Sequence, residues 1–418
     1  MQKYGAAVIP MRINSDHAMN RDILEKVSYL VGSPEVIENM GNIPSKKPFA
    51  EDVISFLSDV SRILMGDKRS RDYSDVVTFA FWIRAASIYQ MKGQYGFQDG
   101  KVHLGRGVAF HIAPSNVPVI FAYSLAAGLI AGNANIVRVP SKGFPQIGVI
   151  ADAIQTAVNR CEKMKPYVSL IRYERDQEIN DLLSSIADLR VVWGGDTTIA
   201  QLRKSPLPPK STEITFADRY SLAVIDADEY LSIEDKEKVA QDFYNDTYFT
   251  DQNACTSPRI VIWTGKGKEE AKAVFWKLLH DLVSEEYGFQ DIQGVNKLAS
   301  GYLAAVAEDG VKITPHEDNL IVRVQVEKVT RRLMNLVENS GFFFEYDCED
   351  VMELKEICND RKCQTIGMIG DQAWLKPLIE SGVRGIDRVV PIGKTMDFDL
   401  IWDGYDLVGQ MSRIIVAV

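Results

Sequence analysis

The spacing of apolar residues predicts helices in the first hundred residues of the chain. Between Asp52 and Leu64 the apolar positions recur at the interval expected for the buried face of a helix. These positions are Val53, Phe56, Leu57, Val60, Ile63 and Leu64. The stretch 75–91 continues in the same way, and 93–100 is rich in turn residues. We therefore expect a mostly helical N-terminal region that ends near residue 100.

Short apolar runs alternate with longer helical patterns after this region. The predicted strands are 108–112, 134–139, 168–172 and 189–193. The predicted helices between them are 119–131, 146–160 and 176–184. Such alternation is typical of a parallel sheet with helices on both faces. The sequence therefore predicts an α/β fold.

A second alternating block follows a proline-rich run at 205–209, which marks a domain boundary or crossing. Its predicted helices are 234–244 and 268–285, and its predicted strands are 259–263 and 319–326. The apolar end of the chain, 411–418, is predicted to be a strand that needs a pairing partner. The expected domains are 1–212 and 213–390, followed by a tail, 391–418, that returns to the N-terminal domain or to a partner subunit.

Composition describes an ordinary globular protein without affinity for nucleic acid. The chain has 418 residues, 46% of them hydrophobic and 25% charged, and its net charge of −10 disfavours nonspecific nucleic-acid binding. No signal peptide is expected at the N-terminus. The longest apolar stretch, 117–132, is short for a membrane span and contains Pro118, so we expect a buried helix and no stable membrane insertion.

The cysteines and histidines predict neither disulfides nor a metal site. The five cysteines are irregularly spaced and form no CxxC pair, and the five histidines form no HExxH pattern. A reducing, cytoplasmic compartment fits this usage best.

Cys255 is the strongest candidate for a catalytic residue. It lies in DQNACTSPR (251–259), just before an apolar strand, among small and amide-bearing neighbours. Such a setting leaves the sulfur reachable and surrounds it with hydrogen-bond donors, which suits a thiol that attacks a carbonyl. A buried structural thiol is the alternative.

Two other motifs come directly after predicted strands. Asn116, in Pro114–Pro118, could donate to a developing oxyanion, or it could only shape a turn. Gly194 and Gly195 precede a helix start with Thr197, where a ligand phosphate can approach the backbone. A plain strand–helix turn explains the glycines equally well.

Charged residues supply further candidates. Arg138 and Lys142, with Ser141 beside them, follow a predicted strand and suit the phosphates or ribose of a nucleotide, although solvated surface charge is an equal alternative. Glu213 follows the proline-rich run and could accept a proton, but nothing local distinguishes it from an exposed glutamate.

Taken together, these motifs resemble the aldehyde dehydrogenase superfamily, and more closely its acyl-CoA reductase (LuxC) family. The segments that carry the resemblance are GRGVAFHIAPSNVP (105–118), DQNACTSPR (251–259) and DRVVPIGKTMDFDLIWDGYDL (387–407). The resemblance extends from about Leu104 to the C-terminus. It implies a parallel Rossmann-type cofactor domain joined to an α/β catalytic domain.

The resemblance also implies roles for individual residues. Cys255 matches the acyl-accepting nucleophile, and Asn116 matches the amide that holds the oxyanion together with the Cys255 N–H. Gly194 and Gly195 match the turn at the cofactor pyrophosphate. Glu213 falls where the superfamily places its general base, but the residues after it depart from the usual E-L-G-G segment.

The cofactor and reaction follow from the same resemblance. Arg138 stands where a lysine usually contacts the adenosine ribose, and Ser141 with Lys142 replaces a glutamate common in NAD-preferring members. Positively charged side chains, without the glutamate, favour binding of a 2′-phosphate, so NADPH is expected over NADH. The expected reaction reduces an acyl thioester, a fatty acyl-CoA or an acyl-protein, to an aldehyde through an S-acyl-Cys255 enzyme. For this the thiol pKa needs to fall by about two units, or about 2.7 kcal/mol.

Other functions fit the residues as well. An oxidising aldehyde dehydrogenase would need a placed base, and a cofactor-free cysteine hydrolase or acyltransferase would need His111 or His280 in that role. A non-catalytic protein that keeps the fold is a third alternative. An acyl-protein synthetase partner and a homo-oligomer formed through edge strands are expected from the resemblance.

Overall fold

The computed structural model describes residues 17–95, 101–315, 317–336 and 338–416. They form two compact units: unit 1 runs to Phe216 and resumes at Asp406, and unit 2 comprises Ala217–Tyr405. The residues that return to unit 1 therefore begin at 406, whereas the sequence suggested a tail from 391. Residues 96–100, part of the expected turn-rich break, lie outside the described residues.

Unit 1 is built around a mainly parallel sheet. The strands of this sheet are β1 (Ser28–Val31), β3 (Val108–Ile112), β4 (Ala134–Arg138), β5 (Val168–Arg172), β6 (Leu189–Trp193) and β7 (Thr212–Phe216). A separate pair is formed by β2 (Lys101–Gly105) and, near the C-terminus, β17 (Ser412–Val416). The sheet order is β1-β5-β4-β3-β6-β7, with β1 antiparallel to β5 and the other pairs parallel. Strand order reverses at β3, which lies between β4 and β6. Ligands bind at such switch points, beyond the carboxyl ends of the strands.

Helices cover this sheet. They are α1 (His17–Glu25), α2 (Pro34–Met40), α3 (Glu51–Gly66), α4 (Ser74–Trp82), α5 (Ala85–Gln94), α6 (Ile120–Ile130), α7 (Pro145–Arg160), α8 (Gln177–Ile186), α9 (Asp196–Leu202) and α17 (Leu407–Met411), with 3-10 turns at Lys68–Asp72 and Glu162–Tyr167. The apolar stripe predicted for 52–64 is buried along α3, apart from Ile63, which is partly exposed. The strands and helices predicted between 108 and 193 are confirmed with small shifts at their ends.

Two expectations for the N-terminal region were wrong. The helical pattern at 75–91 is broken between α4 and α5, because Arg84 is extended (φ −63°, ψ 147°). Its guanidinium Nε donates to the carbonyl of Phe81, 3.1 Å away, and so closes the end of α4. Strand β1 was not foreseen within this mostly helical region.

The C-terminal strand β17 finds its partner within unit 1. It pairs antiparallel with β2, from Ser412 opposite Gly105 to Val416 opposite Lys101. The buried amide of Asn133 donates to the carbonyl of Met411 at 2.9 Å, which holds the start of this strand. The predicted apolar strand is therefore confirmed over 412–416, and residues 417–418 lie outside the described part.

Unit 2 contains a second, mostly parallel sheet. Its strands are β8 (Tyr220–Asp226), β9 (Pro258–Thr264), β10 (Lys312–Pro315), β11 (Val322–Gln325), β12 (Phe342–Asp347), β13 (Cys363–Ile369), β14 (Arg388–Pro391), β15 (Ile401–Trp402) and β16 (Tyr405–Asp406), the last two a separate pair. The sheet order is β10-β11-β12-β9-β8-β13-β14, and only the β10–β11 pairing is antiparallel among these described strands. The strand predicted at 319–326 is shorter, because Asn319 has a positive φ of 59°.

Both faces of the unit 2 sheet are covered. The helices are α10 (Ala227–Ser232), α11 (Lys236–Asp246), α12 (Lys268–Glu286), α13 (Asp291–Ala307), α14 (Arg331–Met334), α15 (Lys355–Cys358) and α16 (Lys376–Glu380), with 3-10 turns at Tyr248–Thr250, Val351–Leu354 and Gln372–Leu375. Alternate residues of β9 enter different cores: Ile260 and Ile262 pack on one side, Val261 and Trp263 on the other. A strand buried on both faces reads as a continuous apolar run, as β9 does in the sequence.

Within the described residues, no helix is both long enough and apolar enough to span a bilayer.

Candidate functional site

The loop that carries Cys255 is held in place by the side chain of Gln252. Asp251 and Gln252 both have positive φ, 55° and 59°, which turns the chain sharply after the 3-10 turn at 248–250. The buried Gln252 amide donates to the carbonyls of Pro258 (2.9 Å) and Phe342 (3.1 Å). Its Oε1 accepts from the N–H of Gly341 at 3.0 Å. The loop is thereby fixed to the beginnings of β9 and β12.

Cys255 lies at the edge of the unit 2 sheet where the parallel strands begin. Its carbonyl accepts a hydrogen bond from Ser221 Oγ at 2.8 Å, and Ser221 Oγ accepts from the N–H of Thr365 at 3.3 Å. Ser221 stands opposite Pro258 across the β8–β9 pair. The sulfur-bearing residue is therefore tied to the first residues of β8 and β13, on either side of the point where strand order reverses.

Residue Cys255 is partly exposed. Nevertheless, the protein packed around the thiol raises its pKa to about 12, chiefly because burial disfavours the thiolate. The Asp403 carboxylate also raises this pKa, whereas the Gln364 amide and the Arg219 guanidinium act against it. The lowered thiol pKa expected from the sequence was therefore wrong, because burial outweighs the nearby donors.

Several candidate residues gather at the switch point of the unit 1 sheet. Asn116 is exposed in the loop that follows β3. Gly194 and Gly195 follow β6, the neighbouring strand, and Gly195 caps the start of α9. A Cβ built on Gly194 would come within 3.1 Å of Thr198 Cγ2, so a side chain there would crowd the first turn of α9. Exposed Thr197 lies in that same turn.

The candidate cations lie beyond the carboxyl end of β4. Arg138 is half-buried, its guanidinium 4.7 Å from the centre of the Tyr173 ring, and its NH2 donates to the Tyr173 carbonyl at 3.2 Å. Lys142 is exposed, with Nζ 4.8 Å from the Phe144 ring centre, and Ser141 is exposed beside it. The sheet order thus brings Arg138, Ser141 and Lys142 to the same edge as the glycine pair.

Glu213, the candidate general base, is bound by two arginines. Its Oε1 accepts from Arg190 NH2 at 2.6 Å, and its Oε2 accepts from Arg203 Nε at 2.7 Å. It lies on β7 of unit 1, and Arg190 lies on the adjacent β6. Both carboxylate oxygens therefore take part in ion pairs, one with Arg190 on the adjacent strand and one with Arg203 at the end of α9. The general-base role remains a prediction.

The two histidines considered as alternative bases have other partners. His111 is buried in β3, with Nδ1 2.7 Å from Ser124 Oγ and Nε2 3.0 Å from Asn135 Oδ1. Because the Asn135 amide donates to the carbonyl of Asn133 (2.8 Å), its Oδ1 accepts, and Nε2 of His111 carries the proton. Burial lowers the His111 pKa to about 4. His280 Nε2 lies 2.6 Å from Asp318 Oδ2.

The structure adds residues around the thiol that the sequence did not single out. Gln364 and Asp403 are hydrogen-bonded to one another, and both affect the pKa of the Cys255 thiol. Arg219, which also affects this pKa, is paired with Asp387. Asp403 lies in the 387–407 segment that carried the family resemblance, which was the one available signal for it. Nothing in the local sequence marks Gln364. Among the described residues, no cluster of three metal-ligating side chains is found.

The overall fold is that of the aldehyde dehydrogenases, which confirms the predicted fold class. A variant of 1-pyrroline-5-carboxylate dehydrogenase from Thermus thermophilus superposes with a TM-score of 0.64 and 13% identity, over 95% of this chain and 85% of that one. Indole-3-acetaldehyde dehydrogenase from P. syringae, solved with NAD+ and IAA, gives 0.63 and 13%, over 91% and 87%. At such identities the similarity establishes the fold alone.

The family resemblance is also confirmed. Residues 91–287 match the acyl-CoA reductase (LuxC) family model. A long-chain acyl-protein thioester reductase from Aliivibrio fischeri is 21% identical over 301 residues, which cover 69% of this chain and 58% of that protein. A protein of the same name from Vibrio harveyi is 27% identical over 168 residues, 40% of this chain and 34% of that protein. The matches therefore span less than two thirds of either relative.

Proposed function

We propose that this protein reduces an acyl thioester to an aldehyde, with Cys255 as the residue that accepts the acyl group. The observation that carries the proposal is that Cys255 is a partly exposed residue, held on a hydrogen-bonded loop at the edge of the unit 2 sheet. The family match and the names of the two relatives support the same reaction class. The acyl donor is an acyl-CoA or an acyl-protein thioester, with a fatty acyl chain.

The first chemical step is transfer of the acyl group to the sulfur. A bond forms between Cys255 Sγ and the thioester carbonyl carbon, the bond to the donor sulfur breaks, and the thiol proton leaves with the donor thiol. Because burial raises the pKa of Cys255 to about 12, the thiol is protonated at neutral pH. Loss of the proton must therefore accompany binding of the acyl donor or the attack itself. Asn116 and the Cys255 N–H are the proposed donors to the oxyanion.

The residues at the unit 1 switch point fit a dinucleotide. Gly194 and Gly195 present backbone without side chains beyond β6, where a pyrophosphate can approach. Arg138, Ser141, Lys142 and Thr197 would lie along the same edge, beside the adenosine ribose and the phosphates. Two cations and no carboxylate among these four support NADPH over NADH. When bound, the reduced nicotinamide supplies the hydride that the acyl group needs to become an aldehyde.

The competing activities receive less support from the geometry. An oxidising dehydrogenase releases its acid by hydrolysis, which requires a base that activates water. Both oxygens of Glu213 already accept hydrogen bonds from arginine, one from Arg190 and one from Arg203. A cysteine hydrolase would need a histidine beside the thiol, whereas His111 is buried in unit 1 with both ring nitrogens in use.

A spectrophotometric assay tests the proposal. Acyl-CoAs of increasing chain length are mixed with the protein and either NADPH or NADH, and loss of nicotinamide absorbance is compared with aldehyde formed. We expect one aldehyde for each NADPH consumed, and no turnover in Cys255→Ala. Cys161→Ala is the matched control, because Cys161 is the other partly exposed thiol among the described cysteines. Full turnover in Cys255→Ala would refute the proposal.

Partners remain part of the proposal as well. An acyl-protein synthetase that delivers the acyl group would explain the acyl-protein thioester named in the two relatives. A homo-oligomer is expected from the superfamily resemblance. Size-exclusion chromatography with light scattering tests the second expectation, and a monomer at micromolar concentration would contradict it.

A further inference from the structure

Asp246 binds the backbone of a segment that is distant in the sequence but belongs to the same unit. It is the last residue of α11, and its exposed fraction is 1%. Its Oδ2 accepts from the N–H of Gly393 at 2.6 Å, and its Oδ1 accepts from the N–H of Thr395 at 3.1 Å. A buried carboxylate is costly unless donors compensate its charge, so these two N–H groups fix the segment 391–397 against α11.

The conformation of residue 393 requires glycine. Its φ is 88°, which glycine adopts without steric cost. A Cβ at this position would lie 2.6 Å from the Cβ of Asp242, which is one turn before Asp246 on α11. The close approach allows the N–H groups of residues 393 and 395 to meet one carboxylate, as in the small backbone concavities that bind anions.

Arg388 holds the same segment through its carbonyl groups. Its NH1 donates to the carbonyl of Thr395 at 3.3 Å. Its NH2 donates to the carbonyls of Lys394 (3.2 Å) and Asp397 (3.1 Å). The residues on both sides of Met396 are therefore fixed, by a carboxylate that binds N–H groups and by a guanidinium that binds carbonyls.

Met396 connects this segment to the loop of Cys255. Its Sδ accepts a hydrogen bond from Thr256 Oγ1 at 3.0 Å, and Thr256 is 3% exposed and directly follows Cys255. The carbonyl of Cys255 itself accepts from Ser221 Oγ at 2.8 Å. A methionine side chain has several rotatable bonds, so its sulfur keeps one position only where the backbone that carries it is fixed. The contacts from Asp246 to Met396 therefore help to determine where Cys255 lies.

We propose that Asp246 is a positioning residue for Cys255, and that it acts through the segment 391–397 and the hydrogen bond between Thr256 and Met396. The inference rests on the proposed function, in which the Cys255 N–H donates to the oxyanion. Such a donor stabilises the developing charge only if it is already aimed at it, and a hydrogen bond weakens steeply when it is bent. The contacts on both sides of Cys255 hold its backbone in one orientation, and Asp246 supports one of them.

Hydrogen exchange read by mass spectrometry tests the linkage without acyl donor or cofactor. Burial raises the pKa of Asp246 to about 6, so its carboxylate is charged at pH 7.5. In Asp246→Asn one N–H loses a charged acceptor, so the segment 391–397 should exchange about tenfold to a hundredfold faster. The loop 251–257 should also exchange faster, and its reporter is Ser257, whose N–H donates to the carbonyl of Ala254 at 3.0 Å.

Asp242→Asn is the matched control for this measurement. Asp242 lies on the same helix and against the same glycine, but its carboxylate accepts from Lys238, also on α11. Loss of an ion pair between neighbouring turns of a helix is a small change, so exchange of both segments should stay within about twofold of the wild type.

A double-mutant cycle separates positioning from a general loss of stability. Thr256→Val removes the hydroxyl that meets Met396, and it should slow acyl transfer to Cys255 at saturating acyl donor by about tenfold. Thr256→Ser keeps the hydroxyl and should restore a rate near that of the wild type. Asp246→Asn alone should cause a loss similar to that in Thr256→Val, and the double variant should be less than about twofold slower than Thr256→Val. Independent destabilisation would instead multiply the two losses.

Unchanged exchange of the loop 251–257 in Asp246→Asn would overturn the inference, and so would losses of acyl transfer that multiply in the double variant. If Asp246→Asn does not fold by circular dichroism, Met396→Ala breaks the same linkage nearer the thiol. It should speed exchange of 251–257 while 391–397 stays protected, and unchanged exchange of 251–257 would overturn the inference equally. If Cys255→Ala retains reductase activity, the proposed function fails, but the exchange measurement still decides whether Asp246 holds the loop of Cys255.

Discussion

Arg190 is held against Glu213 by two hydrogen bonds, from Nε at 3.0 Å and NH2 at 2.6 Å to the same carboxylate oxygen. Arg190 is 2% exposed, and its NH1 also donates to the carbonyls of Leu202 and Ser205 at 3.0 and 2.8 Å. The ion pair therefore links β6 and β7 to the loop after α9. These contacts favour a structural role for Glu213, which the sequence could not distinguish from a catalytic one.

Glu213→Gln separates the two roles. Loss of the charge leaves Arg190 buried without its counterion, so we expect the free energy of unfolding to fall by about 3 kcal/mol. If Glu213 acts as a general base, its loss would instead slow the reaction by roughly 10²–10⁴. Urea unfolding and the rate of acyl transfer are measured on the same variant. Unchanged stability together with a hundredfold slower reaction would restore Glu213 as the base. Arg203→Ala is the control, because Arg203 is exposed and its loss should cost less than about 1 kcal/mol.

Asn116→Ala tests the proposed oxyanion donor. Removal of one such donor slows the chemical step by roughly 10²–10³. We expect that loss in the rate of acyl transfer to Cys255, measured by rapid quench and mass spectrometry. Ser115→Ala, the exposed neighbour in the same loop, should keep the wild-type rate. Equal rates in the two variants would mean that Asn116 only shapes the turn.

Arg138→Ala tests the preference for a 2′-phosphate. Arg138 is already oriented by the ring and the carbonyl of Tyr173, so little ordering is needed when an anion binds. Loss of a charged hydrogen bond should raise KM for NADPH by about tenfold to a hundredfold and change KM for NADH much less. Steady-state kinetics with both cofactors provides the comparison. The same proportional rise in KM for NADPH and for NADH would show that Arg138 does not bind the 2′-phosphate.

The low pKa of the buried His111 predicts that unit 1 loses stability at acidic pH. Its folded-state pKa of about 4 lies below the ordinary value of 6.5, so the unfolded chain binds the proton more readily. The neutral side chain contributes stability that is fully present above pH 6.5 and is lost as pH falls towards 4, by on the order of 3 kcal/mol. Urea unfolding is compared at pH 7 and pH 5 for the wild type and for His111→Gln. The loss on acidification should be smaller in the variant, and an equal loss would contradict this account.

The local pattern of apolar and polar residues predicted the strands and helices of the regular part of the fold well. Strands β3, β5 and β6 have the predicted bounds, because each is a short run that is buried over at least its first four residues. The break between α4 and α5 was missed because Ile83, which caps α4, continues the apolar pattern. Helical periodicity reports which face is buried, but it does not report that the backbone has left the helix.

The surroundings of the thiol could not be predicted in the same way. Cys255 was recognised from its own segment, but its pKa depends on residues that tertiary structure brings to it. Gln364 and Asp403 are 39 residues apart, and neither has a local pattern that points to the other. The sign of the pKa shift was wrong because burial outweighs the nearby donors, and burial is a property of the folded chain.

The most direct measurement of the central claim is the mass of the protein after mixing with acyl-CoA in the absence of reductant. The account predicts one added acyl group per chain, mapped to the peptide that contains Cys255 and released as aldehyde when NADPH is added. Cys161→Ala should behave as the wild type does. An acyl group on another residue, or aldehyde formation without any acylated Cys255, would contradict it.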